Sequence, residues 1–284
     1  MGLEHLTIGF IGAGNMASAL VGGLLRAKAA RPENILASDA DQDRLSRLGK
    51  ETGIVTVPGN ALVFSGSDIC LLCVKPGQIE GVLREIAASE GFPGEKRKII
   101  LSIAAGIRIA KMEAVVYKGL QEKQKASLPI FRVMPNTPAL VGSGVSAVAG
   151  NAYAGHRDMD IAASVLRAAG RVLTLPEASF DAVTAVSGSG PAYVFYLAEA
   201  MIRAAQNLGL SPDQARELAV STVEGAGKLL AAGDTAPEVL RARVTSPGGT
   251  TQAAITEMEK RGVFASLVSA IEAAAHRSRE LSGP

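Results

Sequence analysis

The sequence predicts an α/β protein, with a doubly wound sheet in the amino-terminal part and an all-helical carboxyl-terminal part. Three observations predict it. Short apolar runs alternate with helical patterns in the first half, strand signals stop from Phe180 onward, and long Ala/Leu-rich stretches fill the remainder. A chain of 284 residues has room for two domains of common size. We expect domains at residues 1–176 and 177–284.

The predicted strands are short runs of aliphatic and β-branched residues, and most are followed by a helical pattern. The strands are Leu6–Ile11, Ile35–Ser38, Ile54–Val57, Ile69–Val74, Ile99–Ile103, Ile130–Met134, Val145–Ala149 and Arg171–Leu175. Helices are predicted over Asn15–Lys28, Gln42–Gly49, Pro76–Ser89, Ile109–Tyr117 and Asp158–Ala169. The polar residues 118–127 predict a solvated loop. This alternation of strands and helices favours a parallel sheet.

The carboxyl-terminal part is predicted to be helical throughout. Its helices are Pro191–Leu208, Pro212–Ala232, Ala236–Val244, Thr251–Lys260 and Val263–Glu280. The segment Ala219–Ala232 has only Glu224 and Lys228 as charged residues, and its apolar residues go nearly all the way round. Such a helix is buried on every side. We therefore expect this part to be a dimerisation domain that packs against a second subunit; the alternative is a compact monomeric bundle.

Composition and charge exclude several classes of protein. The net charge is +2 and the basic residues are scattered, which argues against a nucleic-acid-binding face. The amino terminus has no signal-peptide pattern. The longest stretch without a charged residue, Val133–His156, is interrupted by Pro135 and Pro138 and is not a membrane span. We expect a cytoplasmic protein.

The cysteines and histidines do not predict a metal or redox site. Cys70 and Cys73 have the C-x-x-C spacing, but on a buried strand such positions point to opposite faces. Core packing is therefore expected for both thiols. The histidines, His5, His156 and His276, lie in unrelated contexts without ligand spacing, so no metal site is expected.

The first strand runs directly into the pattern Gly12-x-Gly14-x-x-Ala17. Gly12 permits a tight turn, Gly14 leaves room for a phosphate, and Ala17 lets the next helix pack close to the strand. Backbone N–H groups at the start of that helix can then bind an anion. This context predicts a Rossmann-type dinucleotide site. The residues expected to bind the cofactor here are Ile11, Gly12, Ala13, Gly14, Asn15 and Met16.

Asp39 follows the second strand, near the place where a carboxylate binds the adenosine ribose. A carboxylate there accepts hydrogen bonds from ribose hydroxyls and repels a 2′-phosphate, which favours NAD(H). Ser38 could instead bind a phosphate, with charge from Arg44 or Arg47 on the next helix. The choice between NAD(H) and NADP(H) stays open.

Several Gly/Pro-rich loops lie where chemistry is expected. Val74–Gly77 follows a strand of the predicted sheet, at the edge where ligands bind in open α/β folds. In the segment Ser246–Thr251, two glycines precede a helix, and consecutive backbone N–H groups there can bind a carboxylate. The hydroxyls of Thr250 and Thr251 lie at the same point. The alternative role of Thr250 is to cap the helix.

Five segments together resemble those of the pyrroline-5-carboxylate reductases. They are Phe10–Ala17, Val74–Pro76, Met134–Pro138, Ser187–Tyr193 and Ser246–Thr251, in the right order over nearly the whole chain. The resemblance implies reduction of 1-pyrroline-5-carboxylate to L-proline by NAD(P)H, the last step of proline biosynthesis. It also implies an amino-terminal dinucleotide domain and a helical domain that interlocks into homodimers, which often assemble into larger rings such as decamers.

The resemblance also implies a role for individual residues. Those that would contact the cofactor outside the glycine turn are Asp39, Asn60, Cys73, Val74, Lys75, Pro76, Ala104 and Ala105. The substrate carboxylate would be bound by Ser246, Gly248, Gly249, Thr250 and Thr251. Thr251 is the candidate catalytic residue, because its hydroxyl would reach the ring nitrogen. Asp39 departs from the serine that family members often carry near the 2′-phosphate.

Two rival functions remain at this stage. The β-hydroxyacid dehydrogenases share the two-domain plan, but they place a catalytic lysine on the first helix of the second domain. The segment Pro191–Ala200 contains no lysine. A nucleotide sensor that binds without turnover is the other alternative, and retention of the Ser246–Thr251 loop argues against it.

Overall fold

The computed structural model describes residues 2–283 as an eight-stranded sheet with helices. The strands are β1 (Ile8–Ile11), β2 (Ile35–Ser38), β3 (Val55–Thr56), β4 (Ile69–Leu72), β5 (Ile99–Ser102), β6 (Ile130–Met134), β7 (Gly144–Gly150) and β8 (Gly170–Thr174). The helices of the first half are α1 (Asn15–Arg26), α2 (Gln42–Thr52), α3 (Asn60–Gly66), α4 (Ile79–Ala87), α5 (Ile109–Val116), α6 (Glu122–Ala126), α7 (His156–Arg167) and α8 (Phe180–Val183). Those that follow are α9 (Gly190–Asn207), α10 (Pro212–Ala231), α11 (Pro237–Arg243), α12 (Thr250–Lys260) and α13 (Val263–Ser282).

The strand order is β3-β2-β1-β4-β5-β6-β7-β8. β1 pairs in parallel with β2 on one side and with β4 on the other. The chain therefore reverses its direction of winding at β1, and the carboxyl ends of these three strands meet at one edge of the sheet. Such a switch point is where open α/β sheets form a ligand crevice. The predicted fold class is confirmed.

The sheet is parallel as predicted except at one pair, because β6 and β7 are antiparallel. Only residues 135–143 connect these strands. A parallel crossover needs a dozen or more residues, so this connection is too short to return the chain to the other end of the sheet. The other strand pairs are parallel, including β7 with β8.

Among the short helices that were not expected from the sequence are α3 and α6. The predicted loop at residues 118–127 contains α6, whose start is stabilised by a 2.9 Å hydrogen bond from the Gln121 N–H to the Gln124 side chain. The helix α3 begins at Asn60 and packs on β1 and β2. Both helices are short, and few periodic apolar residues mark them in the sequence.

Two layers of buried side chains cover the faces of the sheet. Phe10 and Phe131 belong to one cluster, and Ile11 and Cys70 belong to the other. Cys73 packs against the first of these clusters, so the two thiols lie on opposite faces as predicted. Burial raises the pKa of Cys70 to about 12 and also raises the pKa of Cys73. Both cysteines are free thiols in the structure.

The chain divides into two compact units, which we call the sheet unit (Met1–Gly188 with Ala275–Pro284) and the helical unit (Ser189–Ala274). The main segment of the sheet unit ends at Gly188, whereas the sequence predicts a domain boundary after residue 176. The predicted boundary separates functional domains and stays a prediction. Within the helical unit, the only buried residues are Ala215 and Ala219. Over residues 2–283, the structure has no helix whose length and apolar character would let it span a bilayer.

Candidate active site

A cleft of about 460 Å³ opens at the carboxyl ends of β1, β2 and β4 in the sheet unit. It is lined by Gly12, Gly14, Asp39, Ala40, Asp41, Arg44, Asn60, Cys73, Val74, Lys75, Gln78 and Val82. Seven of these were predicted as cofactor residues: Gly12, Gly14, Asp39, Asn60, Cys73, Val74 and Lys75. The fold thus brings residues from four separate segments of the sequence to one crevice.

The two glycines of the turn have different surroundings. Gly12 has a φ of +102°, and a Cβ there would lie 2.6 Å from the Cys73 carbonyl oxygen, so no other residue fits. Gly14 has no atom within 4 Å of the position that its Cβ would take. The space beside Gly14 is therefore open, which is what a phosphate needs in order to approach the backbone.

The start of α1 offers unpaired donors at the same place. The helix begins at Asn15, and its N-cap residue, Gly14, has no side chain with which to cap the first N–H groups. The first turn contains no acidic residue. These N–H groups and the positive end of the helix dipole favour an anion. The turn and helix therefore fit the pyrophosphate of a dinucleotide.

Charged side chains form the far end of the cleft. The Asp39 carboxylate accepts hydrogen bonds from the N–H groups of Ala13 at 2.7 Å and of Asp41 at 2.8 Å. The Arg44 guanidinium lies 3.4 Å from Asp39 Oδ2 and 3.0 Å from Asp41 Oδ2. The Arg44 N–H, assisted by the guanidinium charge, holds the pKa of Asp41 below its ordinary value. Both carboxylates are thus engaged.

Asn60 joins three elements at the side of the cleft. Its Oδ1 accepts a hydrogen bond from the Ser38 hydroxyl at 2.9 Å, and its Nδ2 donates to Glu85 Oε2 at 2.7 Å. Asn60 is the first residue of α3, Ser38 ends β2, and Glu85 lies on α4. The amide is thereby held in one orientation beside the cleft.

Some predicted cofactor residues lie outside this cleft. Ala13 and Asn15 line an adjacent cavity of about 300 Å³ together with Arg47. Pro76 lines a small neighbouring groove, Ala104 is buried and Ala105 is exposed. Ile11 is buried at the end of β1, and Met16 is half-buried in the first turn of α1.

Sequence reasoning missed four residues that line the cleft: Ala40, Asp41, Gln78 and Val82. Gln78 accepts a hydrogen bond from the Lys75 N–H at 3.2 Å and so shapes the loop after β4. A signal existed for Asp41, because an aspartate just before a helical pattern indicates an N-cap. For Val82, one turn into α4, nothing in the sequence distinguishes a cleft wall from ordinary core.

The loop before α12 belongs to the helical unit. Gly248 has a φ of +71°, and its N–H donates to Gln252 Oε1 at 2.6 Å. The Gly249 N–H donates to the Ser246 carbonyl at 3.0 Å. Both glycine donors are thus already used, and the donors left for an anion are the first amides of the helix, at Thr250 and Thr251.

The structure settles the position of Thr250. The helix α12 begins at Thr250 with Gly249 as its N-cap, so the alternative in which Thr250 caps the helix is wrong. Thr250 is exposed and Thr251 is half-buried. Neither hydroxyl is hydrogen-bonded to another protein group within the part of the chain that the structure describes. Both remain able to bind a ligand.

Comparisons with known proteins agree over the full length. The family model for pyrroline-5-carboxylate reductase dimerisation matches residues 177–281. The model described as NADP oxidoreductase, coenzyme F420-dependent, matches residues 7–106. The pyrroline-5-carboxylate reductase of Corynebacterium melassecola is 41% identical over 275 residues, which cover 97% of this chain and 98% of that protein.

Solved structures give the same result. A pyrroline-5-carboxylate reductase from Coxiella burnetii has a TM-score of 0.87 at 34% identity, covering 98% of this chain and 99% of that one. The Plasmodium falciparum pyrroline carboxylate reductase, with NADP bound, has a TM-score of 0.84 at 29% identity, covering 99% and 100%. The chain belongs to the pyrroline-5-carboxylate reductase family.

Proposed function

We infer that this chain is a pyrroline-5-carboxylate reductase, which reduces 1-pyrroline-5-carboxylate to L-proline with NADPH or NADH in the last step of proline biosynthesis. The single observation that carries this inference is the cleft at the switch point. There Gly12 is sterically required, Gly14 is open and the start of α1 is uncapped. Membership of the family over the whole chain supports the identity of the substrate.

The sheet unit binds the cofactor in this proposal. The bound dinucleotide supplies the hydride that reduces the C=N carbon. Gly14 and the amides of Asn15 and Met16 hold the pyrophosphate, and Asn60 lies at the adenosine side. The loop after β4 and the turn after β5 bind the rest of the cofactor through Val74, Lys75, Pro76, Ala104 and Ala105.

The helical unit binds the substrate in this proposal. The amides of Thr250 and Thr251 at the start of α12 hold the carboxylate, the preceding loop Ser246–Gly249 shapes the site, and the position at a helix start favours the negative charge. The Thr251 hydroxyl hydrogen-bonds the ring nitrogen and orients the imine. A protonated imine is the better electrophile. The sequence identifies no side chain as the proton donor, so the substrate is either protonated already in solution or receives its proton from water.

Assembly and location complete the proposal. The helical unit is a dimerisation domain that joins two copies of the chain, as the match at residues 177–281 supports. Dimers associate further into a decamer, and the enzyme works in the cytoplasm. The functional boundary lies between residues 176 and 177, where that match begins.

The test is a direct assay. The purified chain is mixed with 1-pyrroline-5-carboxylate and either NADPH or NADH, and the absorbance at 340 nm is followed while proline is quantified. We expect cofactor oxidation matched by proline formation. A flat trace with both cofactors would instead favour a nucleotide sensor.

A matched pair of variants tests whether the reductase activity depends on the cleft. Gly12→Ala places a methyl group against the Cys73 carbonyl and should abolish turnover. Gly81→Ala makes the same chemical change on α4, where no atom lies within 4 Å of the new methyl group. It should retain the activity of the unchanged protein.

A further inference from the structure

The far end of the cleft, where Asp39, Asp41 and Arg44 lie, carries two carboxylates and one guanidinium, and these side chains differ in their exposure. The Asp39 side chain is 10% exposed, whereas the Arg44 side chain is 45% exposed. Both residues line the cleft. A ligand that enters at this end therefore meets the arginine more readily than it meets the aspartate.

Asp39 faces the protein more than it faces the cleft. Its Oδ2 accepts the N–H of Ala13, the residue between the two glycines of the turn, at 2.7 Å. Its Oδ1 accepts the Asp41 N–H at 2.8 Å. Arg44 approaches the same Oδ2 at 3.4 Å. Each carboxylate oxygen thus has a donor already, and the Arg44 guanidinium, which Asp39 shares with Asp41, offsets part of the negative charge.

Arg44 is held in place at the first turn of α2. Its N–H donates to Asp41 Oδ1 at 3.0 Å, where Asp41 is the N-cap of that helix. Its guanidinium bridges the carboxylates of Asp39 and Asp41. A planar guanidinium matches the geometry of a phosphate group and stays charged at all working pH values. Arg47, one turn further along α2, lines the adjacent cavity instead.

We propose that Arg44 determines cofactor preference by binding the adenosine 2′-phosphate of NADPH, and that Asp39 is a positioning residue for the glycine turn. The inference rests on the proposed function, since it concerns the cofactor of that reaction. It departs from the sequence expectation that a carboxylate after the second strand favours NAD(H). The carboxylate here is engaged by backbone N–H groups, so its presence does not exclude a 2′-phosphate.

The first test compares kcat/KM with NADPH and with NADH in single variants of α2. Arg44→Gln should lower the NADPH-to-NADH ratio by roughly 10- to 100-fold, the effect of losing a hydrogen-bonded charge. The loss should come mainly from a higher KM for NADPH. Arg44→Lys keeps the charge without the planar fork and should give an intermediate ratio.

Two other basic residues of α2 serve as comparisons. Lys50→Gln removes a charge from the last turn of the same helix and should leave the ratio unchanged. Arg47→Gln tests the rival position. The assignment would be wrong if Arg47→Gln, and not Arg44→Gln, lowered the NADPH-to-NADH ratio of kcat/KM. It would also be wrong if Arg44→Gln had the same ratio as the unchanged protein.

The second test concerns Asp39. Asp39→Asn replaces one acceptor oxygen by a donor, so it should lower kcat/KM for both cofactors by a similar factor and leave their ratio within about threefold, because the Ala13 amide serves both dinucleotides. A ribose ligand would behave differently, since its loss would shift the ratio strongly toward NADPH. Such a shift would overturn the positioning role.

Binding measurements keep this inference separate from the proposed function. The dissociation constants of NADP⁺ and NAD⁺ can be measured by calorimetry on the same variants without any turnover. Arg44→Gln should weaken NADP⁺ selectively. If the unchanged protein oxidises neither cofactor, the proposed function fails, while the calorimetric ratio still decides whether Arg44 binds the 2′-phosphate. Circular dichroism spectra would identify a variant that has failed to fold. If Arg44→Gln fails to fold, the same binding measurements on Arg44→Lys test the assignment.

Discussion

The sheet unit and the helical unit bury their apolar residues to very different extents. The sheet unit has two layers of fully buried side chains, among them Phe10, Phe131 and Phe180. In the helical unit, large apolar residues such as Phe195 and Phe264 are 61% and 72% exposed. The helical unit therefore has apolar surface that one copy of the chain does not cover.

This difference shows where each unit obtains its stability. The sheet unit closes its own core, because strands and helices bury one another within the chain. The helical unit has apolar residues nearly all round α10, and only Ala215 and Ala219 are buried. Exposed apolar patches of this kind mark an interface, in agreement with the matched dimerisation family. Four predictions test this contrast.

The largest effect is expected in the core of the sheet unit. Phe131→Ala removes a fully buried ring from β6 and should lower the free energy of unfolding by about 3–5 kcal/mol. Denaturant titrations at several protein concentrations would measure it. The loss should be the same at every concentration, because this core lies within one chain. A strong dependence on concentration would contradict the contrast between the units.

A charged substitution on the helical unit should weaken the association of two copies of the chain. Leu218→Asp places a carboxylate on α10 at a residue that is 56% exposed in the single chain. We expect the dimer dissociation constant to rise roughly 100-fold, or about 3 kcal/mol, because an interface would have to bury this charge. Sedimentation velocity measures it. The control is Leu62→Asp in the sheet unit, which is 52% exposed and should leave assembly unchanged.

The substrate loop allows a smaller, local test. Thr251→Ala should reduce kcat/KM by roughly 10- to 100-fold, which is the value of one hydrogen bond worth about 1–3 kcal/mol. Thr256→Ala makes the same change on an exposed position of α12 and should retain full activity. If the two variants had equal kcat/KM values, Thr251 would be only a helix residue.

The smallest effect concerns acid stability of the sheet unit. Burial alone would raise the pKa of Asp158, but hydrogen bonds from Arg97 and from the Gly155 N–H outweigh it and hold the pKa below 3.8. The ionised form therefore stabilises the fold above pH 3.8, and this contribution is lost as the pH falls through the lowered pKa.

Melting temperatures from about pH 6 to about pH 2 would measure this contribution. At about pH 6, the Asp158→Asn variant should melt at a lower temperature than the unchanged protein. This difference in melting temperature should become smaller below pH 3.8. Asp160→Asn, on an exposed residue of the same helix, is the control and should show a constant difference. If the difference in melting temperature between Asp158→Asn and the unchanged protein were also independent of pH, the ion pair with Arg97 would not stabilise the fold.

Much of the fold could be predicted from the sequence. All eight predicted strands are present, with ends that differ by up to two residues, because strong apolar runs between turn residues mark them. The direction of β7 was missed, since periodicity indicates a strand but not its partner. The short connection before β7 was the available signal.

The candidate site was predictable only in part, for a physical reason. Gly12 and Gly14 are marked by a local requirement of the backbone, which a sequence displays directly. Val82 reaches the cleft because α4 packs at a particular angle, which the sequence does not display, whereas the sequence offered Arg44 only together with Arg47 and could not choose between them. The role of each predicted cofactor and substrate residue stays a prediction that the variants above can test.

The burial of Cys70 and the partial burial of Cys73 make the protein suitable for labelling experiments. The Cys70 thiol, with its pKa raised to about 12, is almost entirely protonated at neutral pH and reacts slowly with alkylating reagents. The chain contains two cysteines, and the second is also shifted toward the protonated form. A new cysteine on the surface, for example in place of an exposed serine, would therefore accept a maleimide dye against a low background. Fluorescence energy transfer between such dyes could then report distances during turnover without prior removal of the native thiols.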